Sequence, residues 1–142
     1  MPLTPATQAD IDEVSKQLGR PARDIVAIAA RCVCGNPVVV QTKPRLADGT
    51  PFPTVYYLTH PAATAAISTL EAAGIMVEYQ DRLATDESFA AQYLAAHNAY
   101  LADRAAQMVT AFAEFGVTKP MIETRLGNGL DARSEERRVG KE

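Results

Sequence analysis

Residues 44–61, PRLADGTPFPTVYYLTHP, constrain the fold more than any other stretch of this chain, because turn formers, strand formers and a helix start follow one another without a gap. Asp48-Gly49 is a tight-turn pair: Gly accepts positive φ without steric cost, and Asp bonds the backbone ahead of it. Pro51 and Pro53 each remove a backbone donor and push Thr50 and Phe52 towards extended backbone. Residues 54–58 then carry the β-branched and aromatic types that suit a pleated, half-buried surface. Alternation sets Val55 and Tyr57 on one face and Tyr56 and Leu58 on the other, and bulk on both sides predicts that both faces are covered. Thr59-His60-Pro61 reads as a helix start, with Thr59 or His60 at the cap and Pro61 in the first turn, where its missing N–H costs nothing.

The rest of the chain supplies partners for that strand. Residues 7–18 carry Ile11, Val14 and Leu18 at helical spacing, with Asp10, Asp12 and Glu13 near the start and Gly19 as the stop. Residues 24–31 and 38–42 are apolar, β-branched runs separated by CVCGNP, a turn sequence, so they form a hairpin to which 54–58 adds a third strand. Helices follow over 62–73, closed by Gly74, over 75–84, and from an Asp86 cap to about residue 115. The last carries a stripe of Phe89, Tyr93, His97, Tyr100, Met108 and Phe112, which predicts one buried face. The expected fold is α+β: a small three-stranded, mainly antiparallel sheet covered on one face by a helical bundle with one long helix.

Composition narrows the function classes. With 142 residues and 47% hydrophobic content the chain buries one ordinary core. A net charge of −3 gives no electrostatic footprint for nucleic acid. No apolar run approaches the length of a membrane span, and the first thirteen residues have neither a basic nor an apolar leader segment, so the expectation is a cytoplasmic protein with no membrane partner. Cys32 and Cys34 are separated by one residue, which reads as too close for an unstrained disulfide, so both are expected as thiols.

Two constellations carry chemistry. Cys32, Cys34, His60 and His97 are of the types that zinc or another borderline metal selects, since thiolate and imidazole are soft or borderline donors. The spacing is no recognised metal motif, and the plainer reading is two buried small hydrophobes, a cap and a satisfied core imidazole. Arg31, Lys43, Arg45 and Arg104 are candidates for an anion site, with Arg matched to carboxylate or phosphate and backbone N–H groups at Pro61 adding donors. The plainer reading there is solvated or paired charges. No nucleophile motif surrounds Cys32. Two functions remain: an interaction or regulatory module docking through its long helix on a protein partner or on itself, which is favoured, and a metal- or anion-dependent enzyme or sensor.

Four strings, QLGRPARDIVAIAARCVCGNP, TKPRLADGTPFPTVYYLTHP, LEAAGIMVEYQDRL and AAHNAYLADR, closely resemble the actinobacterial domain-of-unknown-function family 501 over about residues 18–107. The resemblance implies a small cytoplasmic protein without an established activity, and His or Cys at the position of His60, an interchange that a metal site tolerates. It further implies a second signature after the long helix, with a Cys, two His and a Gly-rich turn, and hence zinc or another divalent metal in full-length homologues. Residues 116–132 have no Cys or His and are read as a divergent or incomplete segment after a domain spanning 1–115. Residues 133–142, RSEERRVGKE, resemble a translated sequencing adaptor and are read as an unpacked tail.

Overall fold

A computed structural model describes residues 2–49, 52 and 54–113, with the side chain of Phe112 excepted. The extended backbone expected at Thr50, the divergent segment 116–132 and the tail 133–142 lie outside the described residues.

The N-terminal helix shows how local chemistry sets the elements. Helix α1, Gln8–Leu18, starts at Thr7, whose hydroxyl accepts the Asp10 N–H at 3.2 Å while the Asp10 carboxylate accepts the Thr7 N–H at 3.0 Å. Two donors that an α-helix leaves unpaired are satisfied reciprocally. Gly19 ends it at φ 68°, a left-handed position that a side chain disfavours.

Strands β1 (Thr4–Pro5), β2 (Ile25–Arg31), β3 (Pro37–Thr42) and β4 (Tyr56–Leu58) form one antiparallel sheet in the order β1-β2-β3-β4. The fold is α+β as expected, but the sheet has four strands and not three. Strand β1 is two residues long and holds Pro5, a breaker in any local reading, yet an edge strand tolerates a residue without an N–H. The register runs through all four strands: Thr4, Ile28, Val40 and Tyr57 form one row, and Pro5, Ala27, Gln41 and Tyr56 the next. Directly opposed residues share a face, so Tyr57 and Tyr56 lie on opposite sides of the sheet.

The face holding Ile28 and Val40 is covered by α1. Val14, Ile28 and Val40 form the buried cluster, with Leu18, Ala22 and Ile25 packed around it. On the other face Tyr56 meets the edge of Tyr100, ring centroids 6.3 Å apart, and the Tyr100 hydroxyl accepts the Val55 N–H at 3.4 Å.

Helices α2 (Pro61–Ala72), α3 (Ile75–Thr85) and α4 (Glu87–Ala113) follow. Asp86 caps α4 as expected, its carboxylate accepting the Phe89 N–H at 3.0 Å. The Arg82 guanidinium lies 4.2 Å from the Phe89 ring centre and pairs with Asp86 at 3.2 Å, which fixes the α3–α4 corner. The long stripe does not bury one face throughout: Phe89, Tyr100 and Met108 are half-buried, whereas Tyr93 and His97 are exposed. Neither α2 nor α3 contributes a buried residue. By its contacts the chain divides into a unit of residues 1–101 and a unit of residues 102–142, of which the last turns of α4 are described. No described helix is long and apolar enough to cross a membrane.

Candidate functional site

The turn between β2 and β3 carries the two cysteines. Gly35 takes φ 88°, its N–H donates to the Cys32 carbonyl at 2.9 Å, and the Cys32 N–H donates to Asn36 O at 3.0 Å. This turn brings the Cys32 and Cys34 Cα atoms to 5.2 Å, and the two sulfurs are bonded as a disulfide. The expectation of free thiols is therefore corrected. Spacing along the chain suggested strain, but the turn folds the two Cα atoms to a separation within the ordinary disulfide range. Bonded sulfurs are not the thiolates that a metal takes. Val33, between them, is fully exposed.

Arg31, expected as an anion ligand, is committed to the fold. Its Nη1 and Nη2 donate to the two Asp10 carboxylate oxygens at 2.6 and 2.9 Å, and Nη1 also donates to Gly35 O at 2.9 Å. One side chain thus joins the first turn of α1 to the hairpin tip. The hydrogen bonds from Arg31 hold the Asp10 carboxyl far below the usual carboxylate range against the opposing effect of burial, with the Thr7 N–H adding to them. Asp10 in turn raises the pKa of Arg31. Lys43 and Arg45 are exposed beyond the end of β3, and Arg104 is exposed on α4, in the second unit.

His60 is the N-cap of α2: its Nδ1 accepts the Ala62 N–H at 3.2 Å, and Pro61 occupies the first turn. The Thr59 N–H donates to Val38 O at 3.0 Å, which sets this helix start at the end of the sheet where the hairpin turn lies. Gln17 ties the two together, its amide donating to Pro37 O at 2.9 Å and its carbonyl accepting the Thr59 hydroxyl at 2.8 Å. His97 is on the exposed side of α4. Among the described residues no three His, Cys, Asp or Glu side chains are grouped so as to hold a metal. The hairpin turn and the helix start are brought to one end of the sheet; the four candidate ligands do not form a set.

A cleft of about 200 Å³ lies on the α1 side of the sheet, floored by Val14, Leu18, Ile25 and Val40 and walled by Phe52 and Tyr57. Its cations are Arg20 and Arg23, neither of which was singled out in the sequence. The wall depends on Asp24, a non-glycine residue at φ 52°. The Asp24 carbonyl accepts the Lys43 N–H and its carboxylate the Ala47 N–H, both at 3.0 Å, so the loop after β3 is held back over the sheet. The sequence signal for this role is slight: Asp enters the left-handed region more readily than most residues.

Apart from Val33 at the hairpin tip, the most exposed large apolar side chains described in this unit lie on the helices. Met76 and Val77 are 65% and 68% exposed, Tyr93 and Leu94 each 58%, and Ile67, Leu70, Tyr79 and Leu101 are exposed as well.

Comparison with known proteins gives a family and little else. No curated protein and no solved structure matches the chain. Residues 28–129 match the family described as "Protein of unknown function (DUF501)". The match begins later than residue 18 and runs past residue 107, across 116–129, a stretch that the sequence reading set apart as divergent. Covering more than two thirds of the chain and taking in the whole of 44–61, it makes this chain a member of the DUF501 family of proteins of unknown function.

Proposed function

We propose that this chain is an interaction module that docks on a protein partner through α2, α3 and the first half of α4. The observation that carries the reading is the contrast between the two parts of one unit. The sheet and α1 bury Val14, Ile28, Val40 and Val55 almost completely, whereas α2 and α3 hold no fully buried residue and expose Ile67, Leu70, Met76, Val77 and Tyr79. Fully burying a large aliphatic or aromatic side chain is worth about 1.5 to 3 kcal/mol, so helices that leave Met76 and Val77 about two thirds exposed and Ile67, Leu70 and Tyr79 nearly half exposed gain a part of that at each position when covered. Met and Tyr are also enriched at protein interfaces. The corner built by Arg82, Asp86 and Phe89 presents α3 and the start of α4 without help from a partner. A second reading, an anion-dependent sensor, draws on the cleft, where Arg20 and Arg23 adjoin an apolar floor with no carboxylate among the described lining residues.

The docking surface is tested with the double variant M76E/V77E. Charge at exposed positions leaves folding stability within about 0.5 kcal/mol, while binding of a hydrophobic dye and association in sedimentation equilibrium fall several-fold. A wild-type protein that binds no dye and stays monomeric, or a variant that melts far below it, removes the basis of the reading.

A further inference from the structure

The Cys32–Cys34 bond is left without a purpose by the fold and by the docking surface. Stabilisation by a disulfide grows with the length of the loop it closes, and one residue separates these two cysteines, so the bond does little to hold the chain together. The tip is held without it. The Cys32 N–H to Asn36 O bond, the Gly35 N–H to Cys32 O bond and the Arg31 Nη1 to Gly35 O bond fix the turn and involve neither sulfur. Opening the disulfide therefore leaves the two sulfurs on the same turn, poised to close again. The tip is also accessible: Cys34 is exposed, Cys32 is half-buried, and Val33 between them is fully exposed. A bond that the fold does not need, on a turn that survives its opening and that a second molecule can reach, is placed to react.

We infer that the Cys32–Cys34 pair is a thiol–disulfide exchange site that oxidises a dithiol. One thiol of the dithiol, as thiolate, attacks Sγ of Cys34, the more exposed residue of the pair; the Cys32–Cys34 bond breaks, and Cys32 leaves with the electron pair as thiolate and takes a proton. The donor's second thiol, as thiolate, then attacks the donor sulfur of the mixed disulfide and releases Cys34, which is protonated in turn. The donor loses two electrons and two protons and becomes a disulfide; the hairpin gains them as two thiols. Exchange of this kind depends on the thiolate fraction and on access to the sulfur attacked.

The test is equilibration of the full chain with reduced and oxidised dithiothreitol, followed by alkylation and mass measurement. The pair is expected to interconvert completely and reversibly under native conditions. Because the bond closes so short a loop, the melting temperatures of the two forms should agree within about 2 °C. With oxidised glutathione, the variant Cys32→Ser, which keeps the exposed Cys34, is expected to form its mixed disulfide several-fold faster than Cys34→Ser. A bond that stays closed in millimolar dithiothreitol, thiols that do not pair again, or a reduced form that melts ten degrees or more below the oxidised one would each overturn the proposal, the last by showing a structural staple.

Discussion

Replacing Ile28 by Ala is expected to cost about 2 to 5 kcal/mol of folding stability, the range for large-to-small changes at fully buried aliphatic positions. Ile28 is 1% exposed and stands at the centre of the row Thr4–Ile28–Val40–Tyr57, directly beneath Val14 of α1. The cluster it belongs to is small, with Val14 and Val40 as its other buried members, so the truncation removes a large share of its apolar contact. A domain of this size has only about 5 to 15 kcal/mol in hand, so a urea melt should show a strongly lowered midpoint. Val26, two residues away and 42% exposed, is the control: its replacement by Ala should move the midpoint much less. Equal losses at the two positions would mean that α1 does not cover this face.

Asp10→Asn is the second large effect, expected to cost about 2 to 3 kcal/mol near neutral pH, because it weakens a charge-assisted pair and disturbs a helix cap at once. The acid dependence follows from the direction of the shift. Arg31 holds the folded-state Asp10 carboxyl below its ordinary value, so the native protein binds fewer protons here than the unfolded chain does. The contribution is therefore complete above the unfolded aspartate value near pH 4 and is lost as pH falls below it, towards the lowered folded-state value. Urea melts from about pH 2 to 7 should show wild-type stability falling over the acid end by more than the variant's does. Parallel curves would place the acid sensitivity elsewhere.

What was legible in the sequence is what short-range chemistry decides. Thr7 and Asp10, Gly19, His60 with Pro61, and Asp86 each settle a helix end within a few residues, and alternation alone separates Tyr56 from Tyr57. Long-range pairing was not legible. Strand β1 exists because Thr4 and Pro5 meet Ile28 and Ala27, and nothing in a dipeptide containing proline announces that. The bidentate bond from Arg31 to Asp10 spans 21 residues, so Arg31 read as a free cation. Helical periodicity shows that a helix has an apolar side but not what that side meets; hence the stripe on α4 was read as covered, and α1 was not recognised as the lid of the core. At the candidate site the hairpin put Cys32, Cys34 and His60 at one end of the sheet, as the strand order required. Their chemistry was misjudged because residue spacing is a poor proxy for the Cα separation that a glycine turn creates.

One unit holds a closed core of sheet and α1 beside two helices, α2 and α3, without a buried residue. Amide hydrogen exchange, resolved by residue on the isolated chain, separates the two parts, since local opening free energies follow the density of buried apolar contacts. The slowest amides should lie in β2 and β3, around Ile28 and Val40, while those of α2 and α3 exchange about a hundredfold faster or more. Amides in α2 and α3 as slow as those of the sheet, in a protein shown to be monomeric, would contradict the account.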